Sequence, residues 1–65
     1  LPPGRGMIRI IKRSWRAAHV VAFENGRVYD SELPDPVSIR TWQRKRRGWR
    51  MDKVVVMEPE SKLVA

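Results

Sequence analysis

The sequence predicts a small α+β domain: a mostly antiparallel sheet of about four strands, in the order β, ββ hairpin, α, β, covered by one basic helix. Three observations predict it. Asn25-Gly26 separates two β-rich runs, HVVAFE and RVYDSE. Asp35-Pro36 opens a stretch that closes on Arg44, Lys45, Arg46, Arg47 and Gly48. A β-branched run, KVVVM, occupies residues 53–57 and is stopped by Pro59.

The elements follow in order. Residues 7–15, MIRIIKRSW, alternate as a strand, with Ile8, Ile10 and Lys12 on one face and Met7, Arg9, Ile11 and Arg13 on the other. The hairpin comes next, because Asn-Gly tolerates the positive φ that a type I′ turn needs at both central positions. A two-residue loop then fixes the register. Glu24 faces Arg27, Phe23 faces Val28, Ala22 faces Tyr29, Val21 faces Asp30 and His19 faces Glu32. His19, Val21, Phe23, Val28, Asp30 and Glu32 therefore share one face, with Val20, Ala22 and Tyr29 on the other. His19 and Asp30 become diagonal neighbours, their backbones roughly 7–8 Å apart and their side chains closer.

The helix is expected over residues 36–47, with Asp35 as N-cap, Pro36 at the first helical position and Gly48 permitting the left-handed exit. Its apolar stripe is Val37, Ile39 and Trp42. Trp42 and Trp15 read as core, whereas Trp49 is balanced between core and surface. The KVVVM run reads as a buried or central strand. In outline, residues 1–6 are a flexible N-terminal segment, 7–58 one domain and 59–65 a C-terminal tail.

A chain of 65 residues makes one thin core, burying only about 60% of the surface its unfolded form exposes. With no cysteine, disulfides, thiolate metal sites and a cysteine nucleophile within these residues are excluded. The single histidine cannot build a zinc site alone, and no cofactor motif is present. No apolar run approaches the about 20 residues of a membrane span, and the cysteine-free composition fits a cytoplasmic setting.

Charge is the strongest functional signal. The net charge is +7, and residues 38–53 carry seven basic groups against Asp52 alone. Arg40, Arg44 and Arg47 recur at i, i+4 and i+7 on one helical face with Lys45 beside it. Arginine's planar fork suits phosphate, and such a field concentrates polyanions. The expected function is thus a small nucleic-acid-binding module, DNA or RNA, of weak sequence specificity. Its contacts would be Arg40, Arg44, Lys45, Arg47, Arg50 and Lys53, with Tyr29 and Trp49 as stacking aromatics. Nucleic acid is the expected partner; an acidic protein in a larger phage, ribosomal or secretion assembly, or a second copy of the chain, are the alternatives.

The stretch HVVAFENGRVYDS resembles the histidine-bearing hairpin of papain-like cysteine peptidases and related transglutaminase-like hydrolases. The resemblance covers residues 19–31, 13 of the 65. It implies that His19 is the general base and Asp30 the acid that orients it. The departure is the family's cysteine, which is missing together with the helix that carries it. Ser14, Ser31, Ser38 and Thr41 form no nucleophile elbow. On this reading the chain is a fragment or degenerate half of such an enzyme and is not catalytic alone.

Overall fold

A computed structural model describes residues 1–12, 14 and 16–59. It shows five strands and one helix: β1 (Arg5–Lys12), β2 (Ala17–Glu24), β3 (Arg27–Tyr29), β4 (Val37–Ser38), α1 (Ile39–Lys45) and β5 (Arg50–Glu58). All strands join one antiparallel sheet in the order β4-β3-β2-β1-β5. The expected α+β class and antiparallel pairing hold, with five strands rather than four.

The hairpin forms in the register that its turn dictates. Ala22 pairs with Tyr29, Phe23 with Val28 and Glu24 with Arg27. Asn25 at φ 50 and Gly26 at φ 77 supply the two left-handed residues of the turn. The alternation of β1 also holds, since Gly6, Ile8 and Ile10 are buried while Arg5, Met7 and Arg9 are exposed. On this inner face Ile8, Ile10, Val21, Phe23 and Val28 make the core, and Trp42 of α1 closes over them. Leu33, Val37, Ile39 and Trp49 pack around the rim.

Four expectations are corrected. The helix covers residues 39–45, not 36–47. Its N-cap is Ser38, whose Oγ accepts from the Thr41 N–H at 3.3 Å. Asp35 and Pro36 lie in the preceding loop, because Val37 and Ser38 pair with Val28 and Arg27 instead. Extending the sheet and burying Val37 outweighs an early cap, and Ser38 is as good a cap as aspartate. At the other end the helix stops at Lys45, with Arg46 as C-cap, and the chain reverses through Gly48 at φ 90.

The KVVVM run is an edge strand and not a central one: among the described residues β5 pairs with β1 on one side only, and Val54, Val55 and Val56 are all exposed. The N-terminal segment is partly structural. Gly4 is buried, its carbonyl accepts from the Asn25 N–H at 2.9 Å, and β1 begins at Arg5. Gly6 sits where a Cβ would lie 1.9 Å from the Val55 carbonyl oxygen, so β1 and β5 approach closely there. Arg13, Trp15 and the tail beyond Pro59, on which the core role of Trp15 and part of the tail reading fall, lie outside the described residues.

Candidate active site

The site is built around Asp30, the one charged residue among the described residues to be buried. It follows β3 directly, so the hairpin register sets it on the inner face beside β2. Five N–H groups converge on its carboxylate. Oδ1 accepts from the Glu32 N–H at 3.0 Å, an Asx-type turn that shapes the exit from the hairpin. It also lies 3.2 Å from His19 Nε2. Trp42 Nε1 donates to Oδ2 at 2.9 Å. Arg46 donates twice, from Nε to Oδ2 at 2.9 Å and from Nη2 to Oδ1 at 3.0 Å.

This arrangement decides the charge. Burial pushes the Asp30 carboxyl upward, but donation from the Glu32 amide, Trp42, Arg46 and His19 outweighs it and holds the group well below the usual carboxylate range. Burial likewise works against the Arg46 guanidinium, and its bonds to Glu32 and Asp30 reverse that, raising it. Arg46 also bonds Glu32, an exposed carboxylate. The result is an ionised, fully hydrogen-bonded aspartate inside a 65-residue domain.

An ionised carboxylate can only accept, so His19 must present Nε2–H to it. In the neutral imidazole this leaves Nδ1 as a lone-pair nitrogen, and Nδ1 makes no hydrogen bond among the described residues. The His19 side chain is 24% exposed. A partly exposed ring fixed at one nitrogen, with the other free of a hydrogen bond among the described residues, is the geometry of a base. The diagonal His19–Asp30 relation read from the turn thus becomes a direct contact.

Two members of the site were missed in the sequence. In the sequence Trp42 reads as core and Arg46 only as one of the basic residues that close the helix. Their i, i+4 spacing was the available signal, since it places both on the face of α1 that looks into the sheet. Arg46 is consequently the half-buried member of its basic cluster.

His19, Asp30 and Glu32 also bring their ligand atoms within 4.8 Å of one another, a set that could hold a metal ion. Arg46 already donates to both carboxylates, however, and a dication would have to displace that guanidinium. The donor set fits a cation poorly.

The residues expected to bind nucleic acid fall on two sides of the sheet. Arg40 and Arg44 project from the solvent face of α1, with Lys45 on its flank and Arg47 in the turn beyond it, all exposed. Arg50 and Lys53 pair with Ile11 and Arg9 on the outer sheet face, which also carries Tyr29, 45% exposed. Trp49 is half-buried against the core, with the Arg46 guanidinium 5.3 Å and Lys12 Nζ 5.7 Å from its ring. The structure brings Arg40, Arg44 and Lys45 together and separates them from Arg50, Lys53 and Tyr29.

Among the described residues no helix is long and apolar enough to cross a membrane. No protein-family model, curated protein or solved structure matches the chain.

Proposed function

We propose that this chain supplies the base half of a papain-like hydrolytic site, with His19 as general base, Asp30 as its orienting acid, and the nucleophile contributed from outside these residues. The observation that carries the reading is the His19–Asp30 contact at 3.2 Å, made to a carboxylate that is otherwise saturated by its own domain. A purely structural Asp30–Arg46 pair would not need a partly exposed imidazole whose second nitrogen makes no hydrogen bond among the described residues. In the reaction Nδ1 takes the proton of an incoming thiol, and Asp30 stabilises the imidazolium that results. Trp42 and Arg46 are positioning residues: they touch the acid and hold its orientation. Ser38 Oγ donates to Thr41 Oγ1 at 3.1 Å, and among the described residues neither hydroxyl is hydrogen-bonded to His19.

Two measurements test this. Nitrogen-15 spectra of the imidazole at neutral pH are expected to show a protonated Nε2 and an unprotonated Nδ1, with a slowly exchanging Nε2 proton. Cleavage of p-nitrophenyl acetate by a small added thiol is expected to be accelerated by the protein in a His19-dependent way. The gain should fall short of the about 10²–10⁴-fold that a base gives when the nucleophile is also positioned. The opposite tautomer, or acceleration that survives His19→Gln, would remove the proposal.

A second reading rests on a different observation. Arg40, Arg44, Lys45 and Arg47 are exposed cations with no ion pair among the described residues. This group favours phosphate-directed binding of nucleic acid, and the cysteine-free composition fits a cytoplasmic setting for it. If four phosphates of duplex DNA are contacted, log K should fall with log salt at a slope of about −3 to −4. Arg40→Glu with Arg44→Glu should abolish the binding, while Lys53→Glu, on the other face, should leave it nearly unchanged. Equal loss from both would point to bulk charge instead of this surface.

A further inference from the structure

The two edges of the sheet differ sharply. β4 is two residues long and is followed at once by α1. β5 is nine residues long, and among the described residues no strand pairs with its outer edge. Long edges are normally blunted by proline, inward charges or a covering segment. Among the described residues, none of these falls across residues 54–57. Val54 and Val56 point to the inner face with Ile8 and Gly6, and Val55 to the outer face with Met7. All are substantially exposed, from 38% at Val55 to 63% at Met57. A β-branched run open on both faces and along its backbone is a template for another strand.

We propose that β5 pairs antiparallel with β5 of a second copy of this chain, about a two-fold axis at Val54, joining the two sheets edge to edge. An isologous contact needs a strand that complements itself, and register decides whether this one does. Centring on Val54 sets Arg50 opposite Glu58 at both ends, Met51 opposite Met57, and Lys53 opposite Val55. Arg50 and Glu58 both lie on the outer face, since they pair with Ile11 and Arg5 of β1. The contact therefore gains an opposite-charge pair at each end. The neighbouring registers do worse. Centring on Val55 sets Asp52 against Glu58, and centring on Lys53 sets two ammonium groups face to face. Centring on Val56 brings Pro59, which has no N–H to offer, opposite Lys53. Like charges directly opposed destabilise a ladder and opposite charges support it. The irregularities of β5 against β1 fall at Asp52 and Met57, one on each side of Val54, so residues 53–56 are regular and Arg50 and Glu58 still lie on the same face.

The inference does not depend on the hydrolase reading, because β5 lies at the edge remote from β3 and Asp30. Sedimentation equilibrium over a range of concentrations tests it with four samples. The wild-type chain is expected to dimerise, with the central β5 amides protected from exchange in the dimer. Arg50→Glu alone and Glu58→Arg alone each oppose like charges at both ends, and each should raise the dissociation constant roughly tenfold or more. An equimolar mixture of the two variants restores both charge pairs and should dimerise as the wild type does. Glu58 also pairs with Arg5 of its own chain at 2.8 Å. Recovery in the mixture separates a lost contact from a misfolded variant. A wild-type monomer throughout, single variants that dimerise undiminished, or a mixture that stays monomeric would each overturn it.

Discussion

Asp30→Ala is expected to leave the chain unfolded near room temperature in water. A domain of this length has roughly 3–10 kcal/mol of total stability, at about 0.05–0.15 kcal/mol per residue. Removing one partner of a buried ion pair costs about 3–5 kcal/mol, because the other charge stays behind without compensation. Here the group stranded is Arg46, and the indole N–H of Trp42 and the amide of Glu32 lose their acceptor in the same step. Asp30→Asn keeps the shape but replaces an acceptor that serves five donors by one that is half donor, and should recover only part of the loss. Circular dichroism with urea titration reads both. The same carboxylate sets a pH dependence. Its folded-state affinity for protons is depressed relative to the unfolded chain, so its stabilisation is fully present above about pH 4 and is lost progressively as pH falls below that. The midpoint of urea unfolding should therefore fall with acidification below about pH 4 in the wild type, and more weakly in Asp30→Asn. An equally steep fall in both would assign the effect to other acids.

Trp42→Ala should be comparably severe. Among the described residues the indole is the largest fully buried side chain and the one that α1 buries completely. Truncating a buried tryptophan costs about 3–5 kcal/mol. Trp42→Phe separates its two roles. Phenylalanine fills much of the space but cannot donate to Asp30, and a hydrogen bond to a charged group is worth about 1.5–3 kcal/mol. That variant should fold with reduced stability and show a less sharply fixed His19 tautomer, because one donor that orients the acid is gone. Unchanged imidazole spectra in folded Trp42→Phe would reduce Trp42 to packing alone.

The hairpin and its consequences were legible in the sequence because their cause is local. Two residues that accept positive φ fix a turn, the turn fixes the register, and the register places His19 beside Asp30. Elsewhere the deciding partner was distant. Asp35 and Ser38 offer equivalent helix caps, and only the pairing of Val37 with Val28 selects between them. The position of β5 could not be read from KVVVM, since a run apolar on both faces describes what the strand can bury and not where the sheet ends. Arg46 looked like its neighbours in composition. What sets it apart is a carboxylate sixteen positions earlier, brought beneath it by the fold.

The close approach of Gly6 to Val55 has a consequence for how the molecule assembles. Strands one to four each pair with the strand next to them in sequence, so those contacts close short loops. β1 must wait: its second flank is filled only when the last strand arrives, carried across nearly the whole length of the chain. Closing that span carries the largest loop-closure entropy in the sheet, and a methyl group at Gly6 would meet both the Val55 carbonyl and the Phe23 ring, obstructing β1 against the last strand and against the core alike.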